Sequence, residues 1–382
     1  MKFLHLSDLH IGKRLIDFPL LEDQAAALAD IIALAERERP DAVLIAGDIY
    51  DKTMPATEAV TVFDEFLSVL HAMGITVLLI SGNHDSPERL SFGARIMQRN
   101  HIHIARVYDG TVTSVTLHDA HGPIHFYLLP FIKPSHVRRF HETEIETYTD
   151  AVRAALNGLP TSPNERNVLL AHQFVTGAMT SDSEDINVGG LDNVDASVFN
   201  VFDYTALGHL HSPQNVGRET VRYCGTMLKY SFSELRQTKS VTIVALGAKG
   251  NIAISAAPLT PLHEMRAIKG TYAELTALQY YDGTSLPTDY LHITLTDEFD
   301  VPEAVGKLRT IYHNLMKLDY DNPRTRAGAS HNAPIPAARQ TPLEVFTAFY
   351  ETQNGQPMTM AQHALMRRLI EEGADAPCGL SN

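Results

Sequence analysis

Asp8 and His10, Asp48, Asn83, His172, and His209 with His211 stand at the ends of separate apolar runs. Phe3-Leu4-His5-Leu6 comes before Asp8, Ala42 to Ala46 before Asp48, and Ile75 to Ile80 before Asn83; Val168 to Ala171 leads to His172 and Tyr204 to Gly208 to His209. Short apolar runs of this kind read as buried strands. The polar residues therefore arrive together where the strands end, at one rim of a sheet. Oxygen and imidazole nitrogen without thiolate suit Mn²⁺, Fe²⁺, Mg²⁺ or Zn²⁺, and argue against an iron–sulfur cluster or a closed structural zinc site. If one carboxylate bridges, the set supplies about four contacts to each of two ions and leaves open positions for catalysis. Two ions about 3.5–4 Å apart can lower the pKa of a shared water and clamp the attacking and leaving oxygens of a phosphoryl centre. Phosphoester hydrolysis is the reaction class that follows.

Taken singly, these pieces say little. Gly82-Asn83-His84-Asp85 is equally a turn, because Gly and Asn both tolerate positive φ. His209-Leu210-His211 places two imidazoles on one face of an extended segment. Their joint order, each after an apolar run, carries the assignment. The chain has 19 histidines, so they must be sorted. His5, inside the first run, reads as a packed residue; His101, His103, His121, His125, His136 and His141 lack a partner motif and read as solvated or structural.

Asp8-Leu9-His10, Gly47-Asp48, Gly82 to Asp85, His172 and Gly208 to His211 resemble the motifs of the calcineurin-like metallophosphoesterases. Met1 to Lys13, Tyr223 to Glu234 and Val188 to Val194 narrow the resemblance to the bacterial SbcD nuclease family and extend it over essentially the whole chain. The resemblance implies an α/β sandwich of sheets flanked by helices, with a smaller α/β capping domain and a C-terminal helical tail. It implies two divalent metal ions, with Mn²⁺ the expected metal. One would be held by Asp8, His10, Asp48 and His211, the other by Asp48, Asn83, His172 and His209, with Asp48 as the bridge. His84 matches the family's non-ligand catalytic histidine, placed to stabilise the transition state or protonate the leaving oxygen. Asp85 is expected to orient that imidazole or to cap the helix beginning at Pro87. Many archaeal and eukaryotic relatives carry a histidine where this chain has Asp51, which leaves the proton-transfer role to His84 alone. The resemblance further implies DNA ends and hairpins as substrate, an SbcC-like SMC-type ATPase as partner, and a homodimer through N-terminal helices.

At 382 residues and 44% hydrophobic, the chain can bury a substantial core and hold a catalytic domain plus an accessory one. It shows neither a signal-peptide pattern nor an apolar run of membrane-spanning length, so a cytoplasmic protein without membrane association is expected. Cys224 and Cys378 cannot build a disulfide framework or a thiolate metal site. The formal charge of −14 opposes non-specific DNA binding, although local cations and metal ions can make one face attractive. Lys13, Arg14, Arg89 and Lys133 follow the metal motifs or a neighbouring strand and are the candidate DNA contacts; each is also readable as ordinary solvated charge.

Residues 1–260 form the expected nuclease domain, with helices over Leu21 to Arg39, Thr57 to Met73 and Pro87 to Arg99 between the strands. Phe63, Phe66, Leu67 and Leu70, with Phe92 and Ile96, read as core. Pro258 and Pro261 mark a boundary before a smaller α/β pattern at 261–321, the expected capping domain, with a helix from Tyr272 and another over Pro302 to His313. Residues 322–340 read as a linker. The tail, 341–382, reads as a two-helix docking module: Thr341 and Thr359 open capping-box patterns, and Leu343, Phe346 and Tyr350 on the first helix with Leu365 and Leu369 on the second form apolar faces. Two other readings stay open, a phosphatase or cyclic-nucleotide phosphodiesterase of the same superfamily, and a DNA-end scaffold whose catalysis is dispensable.

Overall fold

In the computed structural model, all residues are described except Thr143, 185–191, 323–324, 326–341, 355–356 and 375–382. The Val188 to Leu191 motif, most of the expected linker, the Thr341 cap and Cys378 therefore lie outside the described residues. Residues 1–322 form one compact unit and 323–382 another.

The five strands that lead to the candidate ligands are β1 (Lys2–Leu6), β2 (Ala42–Ala46), β3 (Thr76–Ile80), β4 (Arg166–His172) and β5 (Tyr204–Gly208). All but the first residues of β1 and β3 are buried on both faces, which is why they read as continuous apolar runs. One six-stranded sheet runs Ile252–Pro258, Ser240–Leu246, β1, β2, β3, Ile102–Ile104; the other runs Gln214–Val216, Arg218–Tyr223, β5, β4, Gly122–Leu129, Thr113–Asp119. β1, β2 and β3 are mutually parallel, as are β4 and β5, so their carboxyl ends converge at one rim. Between the sheets lies an apolar layer that includes Phe3, Leu44, Leu78, Phe126, Leu170 and Tyr204. Helices α1 (Leu21–Glu38) and α2 (Thr57–Ala72) cover the outer face of the first sheet, and Tyr148–Leu156 packs on the second. His5 is buried in the inter-sheet layer with Nδ1 2.9 Å from the Tyr204 hydroxyl, a packed histidine as its position in β1 predicts.

The expected helix over Pro87 to Arg99 is broken. Pro87–Leu90 and Ala94–Met97 are separate turns because Gly93 takes φ 75°, a left-handed conformation that interrupts the helical ladder. Phe63, Phe66, Leu67 and Leu70 are core as expected, but Phe92 is 84% and Ile96 72% exposed. Apolar spacing alone marked those two as core; the break at Gly93 turns them outward. With Met54 and Val60, also exposed, they add to the apolar surface of this N-terminal region.

A third sheet of parallel strands, Met265–Gly270, Tyr290–Leu295 and Leu315–Tyr320, carries its own core of Leu275, Leu291, Ile293, Leu308 and Tyr312. Its helices are shorter than expected, Tyr272–Leu275 and Ala304–Arg309; Glu303, with φ 54°, cannot continue a helix upstream. This small layer is fastened to α1 by Asp23, whose buried carboxylate accepts from the Tyr290 hydroxyl at 2.6 Å and from the His263 backbone N–H at 3.1 Å.

In the second unit, α3 (Pro342–Asn354) and α4 (Met360–Ala374) form a helical pair. The Thr359–Gln362 capping box is present: the Gln362 N–H donates to Thr359 Oγ1 at 3.3 Å, and the Thr359 N–H to Gln362 Oε1 at 2.8 Å. Gln362 Nε2 donates across the pair to the Tyr350 hydroxyl. Leu343, Phe346 and Tyr350, the apolar face expected on the first helix, are half-buried, and it is Val345 and Phe349, with Leu365 and Leu369 of the second, that are exposed. No helix among the described residues is long and apolar enough to cross a membrane.

Candidate metal centre

The loops leaving β1 and β2 are stitched together by their main chains: Asp8 N–H donates to the Gly47 carbonyl, His10 N–H to that of Asp48, and Ile11 N–H to that of Ile49, at 2.9–3.0 Å. The fit requires glycines. A Cβ on Gly208 would lie 1.9 Å from the Ala46 carbonyl oxygen, one on Gly82 2.1 Å from Asp48 Oδ1, and one on Gly47 2.4 Å from His172 Nδ1. Asp8, His10, Asp48 and His209 all take positive φ, at 51°, 45°, 50° and 104°. Non-glycine residues held there mark sites where the surroundings overdetermine the backbone.

These turns gather the predicted ligands into two groups around one carboxylate. Asp48 Oδ2 is 3.7 Å from His10 Nε2 and 3.3 Å from His172 Nε2. On one side, ligand atoms of Asp8, His10 and His211 lie within 4.8 Å of one another. On the other, Asn83 Oδ1 sits 2.9 Å from His172 Nε2 and 3.0 Å from His209 Nδ1. His209 and His211, two residues apart beyond β5, thus serve different groups.

The second nitrogens of the rings decide whether a cation fits. His172 Nδ1 donates to the Ala46 carbonyl at 2.8 Å, His10 Nδ1 faces the Asp51 carboxylate at 3.6 Å, and His211 Nδ1 faces Ser183 Oγ at 2.6 Å. The Ala46 carbonyl and Ser183 favour a hydrogen on Nδ1 and a lone pair on Nε2 for His172 and His211, whereas His10 Nδ1 is buried without a hydrogen-bond partner among the described residues. His10 Nε2 and His211 Nε2 lie 3.2 Å apart. Two ring nitrogens at this separation are held together either by a hydrogen between them or by a cation that both bind. With metal–nitrogen bonds of about 2.0–2.1 Å, adjacent ligand nitrogens lie roughly 3.0–3.4 Å apart. The charge state points the same way. Burial raises Asp8 to about 6, with Asp48 adding repulsion. Burial would raise Asp48 as well, but His172 and His10 hold it below the usual carboxylate range. His172, against its own burial, is pushed up to about 9 by Asp48, while burial and His172 press His209 down to about 3. A buried volume that must borrow a proton to balance its carboxylates suits divalent cations.

His84 stands beside this cluster. Its ring meets that of His10 edge-on with centroids 4.7 Å apart, and its backbone N–H donates to Asp48 Oδ1 at 2.9 Å. Its Nδ1 is 3.0 Å from the Asp51 carbonyl oxygen. Asp51 thus orients His84 through its main chain, while its side chain pairs with Lys13 at 2.7 Å. Asp85 does something other than either expectation. Its carboxylate accepts from the backbone N–H groups of Ile49, Tyr50 and Gly82 at 2.9–3.1 Å, tying the β2 and β3 loops, and Ser86 caps the Pro87 turn instead.

Sequence reasoning missed the support behind His211. Ser183 links the His211 ring to Glu234, Glu234 pairs with Lys239 at 2.6 Å, and Lys239 Nζ donates to the His211 carbonyl at 2.8 Å. Glu184 accepts from the His211 N–H at 2.8 Å. Glu234 is fully buried, yet its partners hold it down at about 2 despite that burial. Glu234 and Lys239 stand in the polar stretch Ser231 to Ser240, where nothing local marks them as buried. Of the basic candidates, Lys13 is committed to Asp51, Arg14 donates to the Asp17 carbonyl, and Arg89 and Lys133 are exposed.

Residues 1–213 match the calcineurin-like phosphoesterase family, and residues 261–354 match the type 5 capsule protein repressor C-terminal domain. The chain is 31% identical over 375 residues to the protein of Staphylococcus epidermidis named as the SbcD component of the nuclease SbcCD, covering 97% of this chain and 98% of that one. It is 31% identical over 383 residues to the protein of the same name from Staphylococcus saprophyticus, covering 98% and 100%. A solved dimetal phosphatase from Danio rerio is similar at 14% identity over 69% of this chain and 98% of that one, with a TM-score of 0.40. With its strands, glycines and donor residues set around Asp48 and its length matched from end to end, the chain belongs to the SbcD family of calcineurin-like phosphoesterases.

Proposed function

We propose that this chain is a two-metal DNA phosphodiesterase, the nuclease subunit of a complex with an SbcC-like ATPase, with exonuclease activity on double-stranded ends and endonuclease activity on single strands and hairpins. The observation that carries this reading is the sharing of one buried carboxylate, Asp48, by two nitrogen- and oxygen-rich groups with His84 alongside. Asp8, His10, Asp48 and His211 would hold one divalent ion; Asp48, Asn83, His172 and His209 would hold the other, with Mn²⁺ the metal that fits the family. Bound there, the ions supply Lewis-acid polarisation of the phosphoryl group and a nucleophile at neutral pH. His84 handles the proton. Because a carbonyl can only accept, the Asp51 contact puts a hydrogen on Nδ1 and leaves Nε2 to give or take a proton at the leaving oxygen.

Linear and hairpin DNA incubated with Mn²⁺, with Mg²⁺ and with chelator, beside a generic phosphomonoester, tests the reading. DNA cleavage that the chelator abolishes is expected; preferential hydrolysis of the monoester would make the chain a phosphatase instead. Arg89→Ala and Lys133→Ala should each reduce the slope of log affinity against log salt by about 0.7–0.9 without creating a sequence preference. Lys13→Ala should act chiefly on turnover, through Asp51 and His84. Unchanged slopes in the first two variants would place the phosphate contacts elsewhere.

We further assign residues 1–260 to the nuclease domain, 261–321 to a DNA-selecting cap and 341–382 to partner docking in the cytoplasm. The exposed Val345, Phe349, Leu365 and Leu369 support the docking role. The outward Phe92 and Ile96 support a homodimer through the N-terminal region. Truncation after Arg339 should abolish binding to the ATPase in a pull-down while leaving metal-dependent cleavage of simple DNA largely intact. A tight complex formed by the truncated chain would refute the docking assignment.

A further inference from the structure

A cavity of about 200 Å³ opens directly beside the second donor group, with Asn83 and His209 forming part of its wall. The rest is built differently from the metal centre. Phe131, Tyr148 and Phe174 line it, each only half-buried. The Phe131 ring lies nearly parallel to His209, with centroids 6.4 Å apart and planes at 19°, and Phe174 meets the same imidazole at 6.4 Å and 54°. Lys133, exposed, stands 5.8 Å above the Phe131 ring centroid, and Asp192, itself buried, completes the lining.

The chemistry of these walls selects the occupant. A phosphate would gain nothing from three aromatic rings and would be repelled by Asp192. A sugar could lay one C–H face on a ring, but it has no π-face to share among three. A nucleobase has both a π-face for the rings and polar edges for one cationic and one anionic side chain, and base–aromatic stacking is insensitive to sequence. Because Asn83 and His209 wall both, an occupant of the cavity lies directly beside what sits at the donor cluster. We propose that this cavity is a nucleobase subsite, which takes the base of a nucleotide adjoining the phosphate that is cut. The assignment rests on the nuclease reading above and deepens it. A base held in a duplex is stacked and paired and cannot enter a pocket of this size; only an unpaired or extruded base can. The subsite therefore ties cleavage to strands that are single, frayed or bent open, as at a hairpin tip.

The test uses the full chain with Mn²⁺ and end-labelled single-stranded oligonucleotides in which one abasic residue is moved along the sequence. Wild-type cleavage is expected to fall about tenfold at one phosphate, at a fixed offset from the abasic position, with neighbouring phosphates little affected. Phe131→Leu and Phe174→Leu keep apolar bulk but remove a ring face. With metal content matched to the wild type, they should lower cleavage of intact strands and erase the abasic dip. A wild-type pattern without a dip, or a dip that persists at full depth in both leucine variants, would overturn the subsite while leaving the nuclease reading standing. Absence of any DNA cleavage by the wild type would overturn that reading and the subsite with it.

Discussion

Asp48→Ala is expected to lose metal and activity together, whereas His84→Gln keeps its metal and loses about 10²- to 10⁴-fold in turnover, the usual contribution of a general acid–base group. The two residues are adjacent in space but differ in what they touch. Asp48 reaches the ligand nitrogens of both groups, at 3.7 Å to His10 and 3.3 Å to His172, so its removal takes the shared anion from both at once. His84 contributes its main-chain N–H to Asp48, a bond the glutamine variant retains, and only its ring is changed. Metal content by mass spectrometry, Mn²⁺ titration by calorimetry and single-turnover cleavage separate the cases. Near-normal turnover by His84→Gln with verified metal would remove that residue from the catalytic list.

Gly208→Ala should disrupt the centre without altering any donor. The added methyl carbon would stand 1.9 Å from the Ala46 carbonyl oxygen and 2.7 Å from His172 Nδ1, neither of which is a flexible side-chain end. β5 must move away from the loop leaving β2, carrying His209 and His211 with it. Overpacking of this kind costs at least about 1–3 kcal/mol, a fall of several degrees in melting temperature. Weakened Mn²⁺ binding should accompany it. Gly306→Ala is the comparison: it sits in a helix, meets nothing within 4 Å, and should be neutral or stabilising by up to about 1 kcal/mol. Equal melting curves and Mn²⁺ affinities for Gly208→Ala and the wild type would show that the rim gives way more readily than its spacing implies.

The ligand-bearing strands were legible because a parallel strand covered on both faces has to be apolar throughout, so an Asp, Asn or His at its end stands out against it. The same logic misled at Phe92 and Ile96, where apolar spacing continued through a chain direction that Gly93 had already changed. The supports of His211 were illegible for another reason. Ser183, Glu234 and Lys239 lie 23 to 28 residues from it along the chain, and nothing local says which ring a lone buried carboxylate will face. Asp51 illustrates the same limit, since its carbonyl orients His84 and a carbonyl carries no residue type to read.

Asp8, His10, Asp48 and His209 hold their donors on backbone bent into the left-handed region, a conformation that costs about 1–3 kcal/mol per residue and that the stitched loops impose. A frame held in this way resists adjustment to its guest. Ions whose bonds to nitrogen and oxygen run near 2.0–2.2 Å match the roughly 3 Å gaps between donors. Ca²⁺, which asks for about 2.3–2.6 Å and a looser, higher coordination number, does not. The strained turns at the strand ends are therefore expected to act as a gauge that favours Mn²⁺ over Ca²⁺, and equal affinities in calorimetric titration would refute this.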